Sequence, residues 1–436
     1  MAVSGVQGID GSLHWLDFDG DGFVLDAGMD VQNPGQSVAK IDLVPAAPHA
    51  ALITHAHMDH VGALPELILR FPKTRVYMTY PSIALSEKML LHSLRLREKK
   101  ALSDDDKPIY SMDDLDMMFY MFQAMPLKKK FRVHVDPEPP VDISFWDAGH
   151  ILGSAGVLLQ KGRRSVFYSG NFKLSGQSIL KGARFPKQPV DTLILESTYG
   201  ADEATPSYDE EKKRFADFLS ERLSVNGVVL APVFALGRTQ EVLMTVGMLK
   251  RRGTIPNVPV YITGMGTRFT KIYDRLINYY ERRYPDIKLR PMAEHMMHRQ
   301  KIKGPAIILA TSGMMLPQTF SYELAQNFMD DPKNGIAFVG YVSPESPGHA
   351  LREKALQQFG ANGTGTMLSG CKLASFNFSA HASRTELLQL AAQMQPRTVI
   401  LFHGEAEAYD SLQRGLREKL PGTKVLLPEE GKMYAL

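Results

Sequence analysis

Apolar residues come in short runs at the start of the chain. Ser12-Leu13-His14-Trp15-Leu16-Asp17 and Gly22-Phe23-Val24-Leu25-Asp26 flank Phe18-Asp19-Gly20-Asp21, a pattern that predicts two strands joined by a hairpin turn. Ala51-Leu52-Ile53-Thr54 reads as a further buried strand. From about 81 to 122 the spacing becomes helical, with Ile83, Leu85, Met89, Leu90, Leu94 and Leu96 set among lysines and arginines. A second helix is expected over 112–121, and its methionines Met117, Met118 and Met121, with Met125, are expected in a core. Strands return from about Phe145. Between 192 and about 340, apolar runs at 228–230, 258–262, 306–309 and 336–339 alternate with helical stretches at 240–249, 269–281 and 320–329. Buried strands alternating with helices predict a parallel α/β domain. The tail repeats the rhythm with runs at 398–402 and 423–427. No internal repeat or low-complexity linker interrupts it.

Composition narrows the class. A chain of 436 residues exceeds one ordinary core, so two or more domains are expected. Cys371 is the single cysteine, which excludes an internal disulfide and favours a reducing, cytoplasmic setting. Residues Met1 to Gly8 carry neither the basic nor the apolar part of a secretory signal, and no apolar stretch reaches membrane-span length. A net charge of +3 permits a polyanionic substrate without requiring one. The basic knots at 95–100 and 128–130 read as solvated faces, and Asp104-Asp105-Asp106 as a loop.

The chemistry is concentrated in His55-Ala56-His57-Met58-Asp59-His60, at the exit of a buried strand. Three imidazoles and a carboxylate within six residues are metal-ligand chemistry. In an extended turn His55 and His57 grip one ion while Asp59 and His60 face a second, and zinc suits that donor set. The string Asp17 to Gly22 imitates the start of an EF-hand loop, but the twelfth position is Gly28 where a glutamate is needed. Further metal-type residues stand at strand ends: His150 in a glycine-flanked loop, His381 after Phe378-Ser379-Ala380, and His403 after the apolar run 398–402.

In order along the chain, Leu25-Asp26-Ala27-Gly28, the His55–His60 cluster, His150, Leu195-Glu196-Ser197-Thr198-Tyr199-Gly200, Phe378-Ser379-Ala380-His381 and Phe402-His403-Gly404-Glu405 resemble the motifs of the metallo-β-lactamase superfamily. Within it they are most similar to the β-CASP nucleases that process RNA 3′ ends, prokaryotic relatives of the cleavage-and-polyadenylation endonuclease. The stretch 231–241 resembles that family's signature at the start of the inserted domain. The resemblance implies an αββα sandwich from residues 1–200 and 372–436, with a parallel α/β β-CASP domain, 201–371, inserted between them and covering a cleft threaded by single-stranded RNA. It also implies two zinc ions, one held by His55, His57 and His150 and the other by Asp59, His60 and His403. Asp26 would orient a ligand histidine, and His381 paired with Glu196 would protonate the leaving 3′-oxygen. Arg238, Arg384, Ser379 and the Gly340-Tyr341-Val342-Ser343 stretch are candidate phosphate contacts. His403 favours RNA over DNA, and a form shorter than the family members with C-terminal extensions is expected.

One position departs. The family places a metal-bridging aspartate where this chain reads Tyr168-Ser169-Gly170-Asn171-Phe172. An amide offers one carbonyl oxygen and no charge, so weaker metal binding is expected there. The expected function is zinc-dependent hydrolysis of single-stranded RNA, endo- or 5′-exonucleolytic, in RNA processing or decay. The alternatives are a catalytically weakened RNA-binding relative, favoured by Asn171, and a small-ester metallohydrolase. No membrane partner is expected, and a homodimer is left open.

Overall fold

The computed structural model describes residues 1–5, 8, 11–18, 20–30, 40–100, 108–133, 139–201, 206–298, 300–317, 319–340, 347–351, 353 and 370–435. Asp19, Asp104, Asp105, Asp106, Tyr341, Val342 and Ser343 lie outside them. Two compact units emerge, one of Met1–Ser175, Gly182–Glu203 and His381–Leu436, the other of Gly176–Lys181 and Ala204–Ala380.

The first unit contains two sheets. One has six strands in the order Ala2–Ser4, Leu13–Phe18, Asp21–Leu25, Ala50–Leu52, Arg75–Met78 and Phe122–Ala124. Its first three strands pair antiparallel, as the hairpin pattern predicts, and the rest pair parallel. The other has seven, ordered Lys424–Leu426, Thr398–Phe402, Thr192–Glu196, Arg164–Tyr168, Ala155–Lys161, Val141–Asp147 and Phe131–Val133.

Alternation along each strand builds the layers. Phe23 and Leu25 meet Phe145, Val157, Tyr168 and Phe402 of the second sheet in one buried core. Val24, between them in sequence, faces the opposite way into Leu64, Leu67 and Leu90 of the covering helices. On the second sheet, Phe167, Leu193, Leu195 and Leu401 turn outward against Leu387 and Leu390 of helix Arg384–Met394 and Leu412 and Leu416 of helix Ala406–Lys419. The result is helix on sheet on sheet on helix, the expected αββα sandwich. One expectation fails at Met117, which is 69% exposed. Helix Met112–Tyr120 buries Leu115 and Met118, three residues apart, and Met117 falls off that stripe. Met121 and Met125 pack at core edges.

The inserted unit is a six-stranded, wholly parallel sheet ordered Glu294–His295, Val260–Ile262, Ala306–Ala310, Val228–Pro232, Gly335–Phe338 and Lys372–Ser375. Its central strands are continuous apolar runs because both faces are covered. The sequence reading ends this domain at 371. Strand Lys372–Ser375 instead pairs with Gly335–Phe338, and the unit runs on to Ala380. Residues Gly176–Lys181 also join it, because Leu180 bridges Arg282 and the buried Glu241 carboxylate accepts the backbone N–H groups of Ser178 (2.7 Å), Ile179 (2.9 Å) and Leu180 (3.3 Å).

Burial pushes the Glu241 carboxyl up to about 7, against the pull of the backbone donors and the Arg238 charge. The folded value exceeds the ordinary 4.5, so this group's contribution to stability is fully present below pH 4.5 and is lost as pH rises through about 7. Glu241→Gln is therefore expected to flatten the decline in unfolding free energy across that window, read from denaturant titrations at several pH values. An unaltered slope contradicts this assignment.

Candidate metal centre

The first unit brings its polar residues together at strand exits. Strand Asp21–Leu25 ends at Asp26, whose backbone is left-handed (φ 57°), a conformation aspartate tolerates better than most residues. Strand Ala50–Leu52 leads through Thr54 to His55 and His57, and Asp59 and His60 lie on the short helix Met58–Val61. His150 follows strand Val141–Asp147, Asn171 follows Arg164–Tyr168, and His403, also left-handed (φ 55°), follows Thr398–Phe402.

Two groups of donors form. In the first, His57 Nδ1 lies 3.2 Å from both His55 Nε2 and His150 Nε2. In the second, Asp59 Oδ2 is 3.2 Å from His403 Nε2 and 3.5 Å from His60 Nε2. Ligand nitrogens about 2.0–2.1 Å from a tetrahedral zinc stand roughly 3.3–3.4 Å apart, so the spacing of both groups fits one ion each. Burial holds the His55 and His403 imidazoles below the ordinary range, and neighbouring histidines add to the effect, which leaves lone pairs available.

His60 behaves differently. Burial opposes its charge, but the carboxylates of Asp59 and Asp26 overcome this and raise it to about 10. An imidazolium cannot bind a cation, so an ion entering beside His60 takes a proton's place in a pocket already built for positive charge.

Asp26 is hydrogen-bonded to the second donor group. Its Oδ2 takes His60 Nδ1 at 2.8 Å, which turns Nε2 toward Asp59. The same carboxylate accepts Thr54 N (2.7 Å), Thr54 Oγ1 (2.8 Å) and the Tyr168 hydroxyl (2.8 Å). Asn171 sits at the second group with Nδ2 3.0 Å from His60 Nε2, while its Oδ1 is buried without a hydrogen-bond partner. A half-turn of the amide exchanges the two atoms and offers the carbonyl oxygen where a cation beside His60 would need a donor. The orphaned oxygen and the converging nitrogens both fit a bound metal.

Beside these groups lies a hydrogen-bonded network. The fully buried Glu196 accepts the Phe172 N–H (2.8 Å), the Thr198 hydroxyl (2.6 Å) and His381 Nδ1 (3.0 Å). Burial works against the Glu196 charge, yet the His381 charge and these bonds hold its carboxyl below the ordinary range. Thr198 Oγ1 also lies 3.0 Å from His403 Nδ1, so it joins the network to the second donor group. The His381 ring stands 4.6 Å, centre to centre, from His150.

Glu196 ends strand Thr192–Glu196 and caps no helix. Thr198, Tyr168 and Thr54 are the contributors that sequence reasoning missed. Each is an ordinary polar residue near the end of an apolar run; Thr198 and Tyr168 fall inside motif stretches, but nothing in the sequence assigns them a contact. Arg384 is bound to Ser411 through Nε (3.0 Å) and is a helix-packing residue. Arg238, Gly340 and Ser379 belong to the inserted unit. Arg238 opens helix Arg238–Arg251, and Ser379 is buried with its N–H on Asn377 Oδ1.

Family models match most of the chain: a metallo-beta-lactamase superfamily domain over 15–198, a Beta-Casp domain over 239–351 and a Zn-dependent metallo-hydrolase RNA specificity domain over 370–428. The protein named Ribonuclease TTHA0252 from Thermus thermophilus is 30% identical, covering 97% of this chain and 96% of that one. Cleavage and polyadenylation specificity factor subunit 3 of Dictyostelium discoideum is 28% identical over 88% of this chain, which spans half of that longer protein. A crystal structure of a protein of unknown function from Enterococcus faecalis V583 shares the fold, with a TM-score of 0.58, 12% identity and coverage of 99% and 98%. The chain belongs to the β-CASP family of the metallo-β-lactamase superfamily, a family of zinc-dependent metallo-hydrolases.

Asp26→Asn should leave the fold intact by circular dichroism while weakening metal affinity about ten- to a hundredfold in a chelator competition, because His60 loses its orienting carboxylate. Unchanged affinity would remove Asp26 from the metal centre.

Proposed function

We propose that this protein is a ribonuclease that hydrolyses phosphodiester bonds of single-stranded RNA with two zinc ions, one in each donor group. The observation that carries the reading is the convergence of His55, His57 and His150, and of Asp59, His60 and His403, beside the Glu196–His381 pair. This occurs in a chain that also matches an RNA specificity domain over 370–428. Zinc, when bound, supplies Lewis acidity, which lowers the pKa of water and offsets charge on the phosphodiester oxygens.

The protein's own residues do the rest. Asp59 is the one carboxylate among the six donors, and its negative charge sits between His60 and His403. With Nδ1–H donated to Glu196, His381 as imidazolium would carry on Nε2 the proton for the leaving oxygen. Thr198 fixes the His381 and His403 rings relative to one another. Cys371 is a buried free thiol, and we read the setting as cytoplasmic and reducing.

The second reading, an RNA-binding relative with weakened catalysis, is favoured by Asn171, which brings no charge to the second donor group. A small-ester hydrolase has no use for the matched RNA specificity domain.

Labelled single-stranded RNA is expected to be cleaved by the zinc-loaded chain and spared after chelation or in Asp59→Ala, whose turnover should fall by about a thousandfold or more. His381→Ala should retain its zinc but lose about a hundredfold in rate. Cleavage that survives both chelation and Asp59→Ala would sink the metal mechanism, and zinc loss in His381→Ala would make that residue a ligand.

Asn171→Asp adds a carboxylate beside the second donor group, so it should bind zinc more tightly and turn over faster, with RNA affinity kept. Equal zinc affinity and rate in the two forms would mean that position 171 does not face the ions.

A further inference from the structure

On the first unit, a groove of about 490 Å³ lies between the end of strand Val141–Asp147, the segment 183–188 and helix Arg384–Met394. That is the size class of small-ligand sites, about 300–1,000 Å³. Lys128, Arg184 and Lys187 line it and are exposed, and among the described residues no carboxylate lines it. Leu390, Phe185 and Pro186 give it an apolar floor. Trp146 stands half-buried in its wall, steadied by an Nε1–H bond to Ser144 Oγ at 3.0 Å. Leu390 and Gln393 bring in the stretch that matches the RNA specificity domain.

One wall of the groove is close in sequence to the first donor group. Trp146 precedes His150 by four residues, a span of no more than about 14 Å of extended chain. The Arg184 N–H bonds the Asp147 carbonyl (2.8 Å), and the Lys173 N–H bonds the Ala148 carbonyl (2.9 Å). The groove wall and the loops carrying His150 and Asn171 are therefore one hydrogen-bonded piece.

The Lys128 and Lys187 ammonium groups attract a phosphate backbone, and the Trp146 indole beside them offers a surface on which any base can stack. We infer that this groove is a docking site for single-stranded RNA flanking the cleaved bond, with Trp146 as the stacking platform and Lys128 and Lys187 as the phosphate contacts. The inference rests on the ribonuclease reading and adds a second contact region to it.

The chain has two tryptophans, and Trp15 is buried at 4% exposure, so the fluorescence removed by Trp146→Phe isolates the groove. Rapid mixing of the zinc-loaded full chain with an oligouridylate of about twenty nucleotides should quench that component before turnover. Trp146→Ala should weaken RNA affinity by about five- to a hundredfold. The surface pair Lys128→Glu/Lys187→Glu, which leaves the core alone, should weaken it about tenfold or more. Its log–log salt dependence should become shallower by about 1.4, or 0.7 for each contact on a single strand. Hydrolysis of bis(p-nitrophenyl) phosphate, too small to span both regions, should be unchanged in all three variants.

Unaltered RNA affinity and salt slope in the lysine pair, with RNA still cleaved, overturn the groove and leave the ribonuclease reading standing. Loss of diester hydrolysis in the lysine pair would place those residues in the catalytic site and overturn the groove as a separate contact. If the unmutated chain cleaves neither RNA nor the diester, the ribonuclease reading fails. Quenching then still decides the groove: specific to Trp146 it supports the site, and persisting in Trp146→Phe it counts against it.

Discussion

A buried carboxylate organises this molecule. Asp26 is fully enclosed, and an anion so placed is tolerated only when its lone pairs are met. They are met by Thr54 through backbone and hydroxyl, by Tyr168 and by His60, each within 2.8 Å. Asp26 follows a strand of the first sheet, whereas Tyr168 ends a strand of the second. One group thus ties the two halves of the sandwich to the donor cluster. Burial and the Asp26 charge together keep the Tyr168 hydroxyl protonated, so it remains a donor. Once His60 is fixed, the short helix Met58–Val61 fixes Asp59, and His57 at its start follows.

The second constraint is strand register. Thr192–Glu196 and Thr398–Phe402 pair in parallel with Glu196 opposite Phe402. The residues just beyond each strand, Thr198 and His403, therefore meet although 205 positions separate them. The inserted unit occupies that interval, and His381 is where the chain returns from it. Glu196, Thr198, His381 and His403 form one polar network because two neighbouring strands end at the same level.

Much of this was legible in the sequence, for identifiable reasons. The His55–His60 cluster is local, so its chemistry shows without a fold. Short apolar runs on either side of Phe18-Asp19-Gly20-Asp21 marked the hairpin strands, and unbroken apolar runs marked the parallel sheet. Asp26 was assigned through resemblance to a family motif, and the structure places it in hydrogen bond with His60. What escaped depends on distant partners. Tyr168 and Thr198 look like any polar residue ending a strand until the second sheet and the return of the chain supply what they touch. The run 372–375 suits either sheet by composition, and only its pairing with Gly335–Phe338 decides. Met117 misled because a methionine-rich stretch says nothing about which turn of the helix faces inward.

That each of the two donor groups holds a zinc ion is our proposal. Anomalous diffraction from crystals of the zinc-loaded chain, recorded on both sides of the zinc absorption edge, tests it most directly. Two peaks are expected, one among His55, His57 and His150 and one among Asp59, His60 and His403. A single peak, or density at neither group, would contradict it.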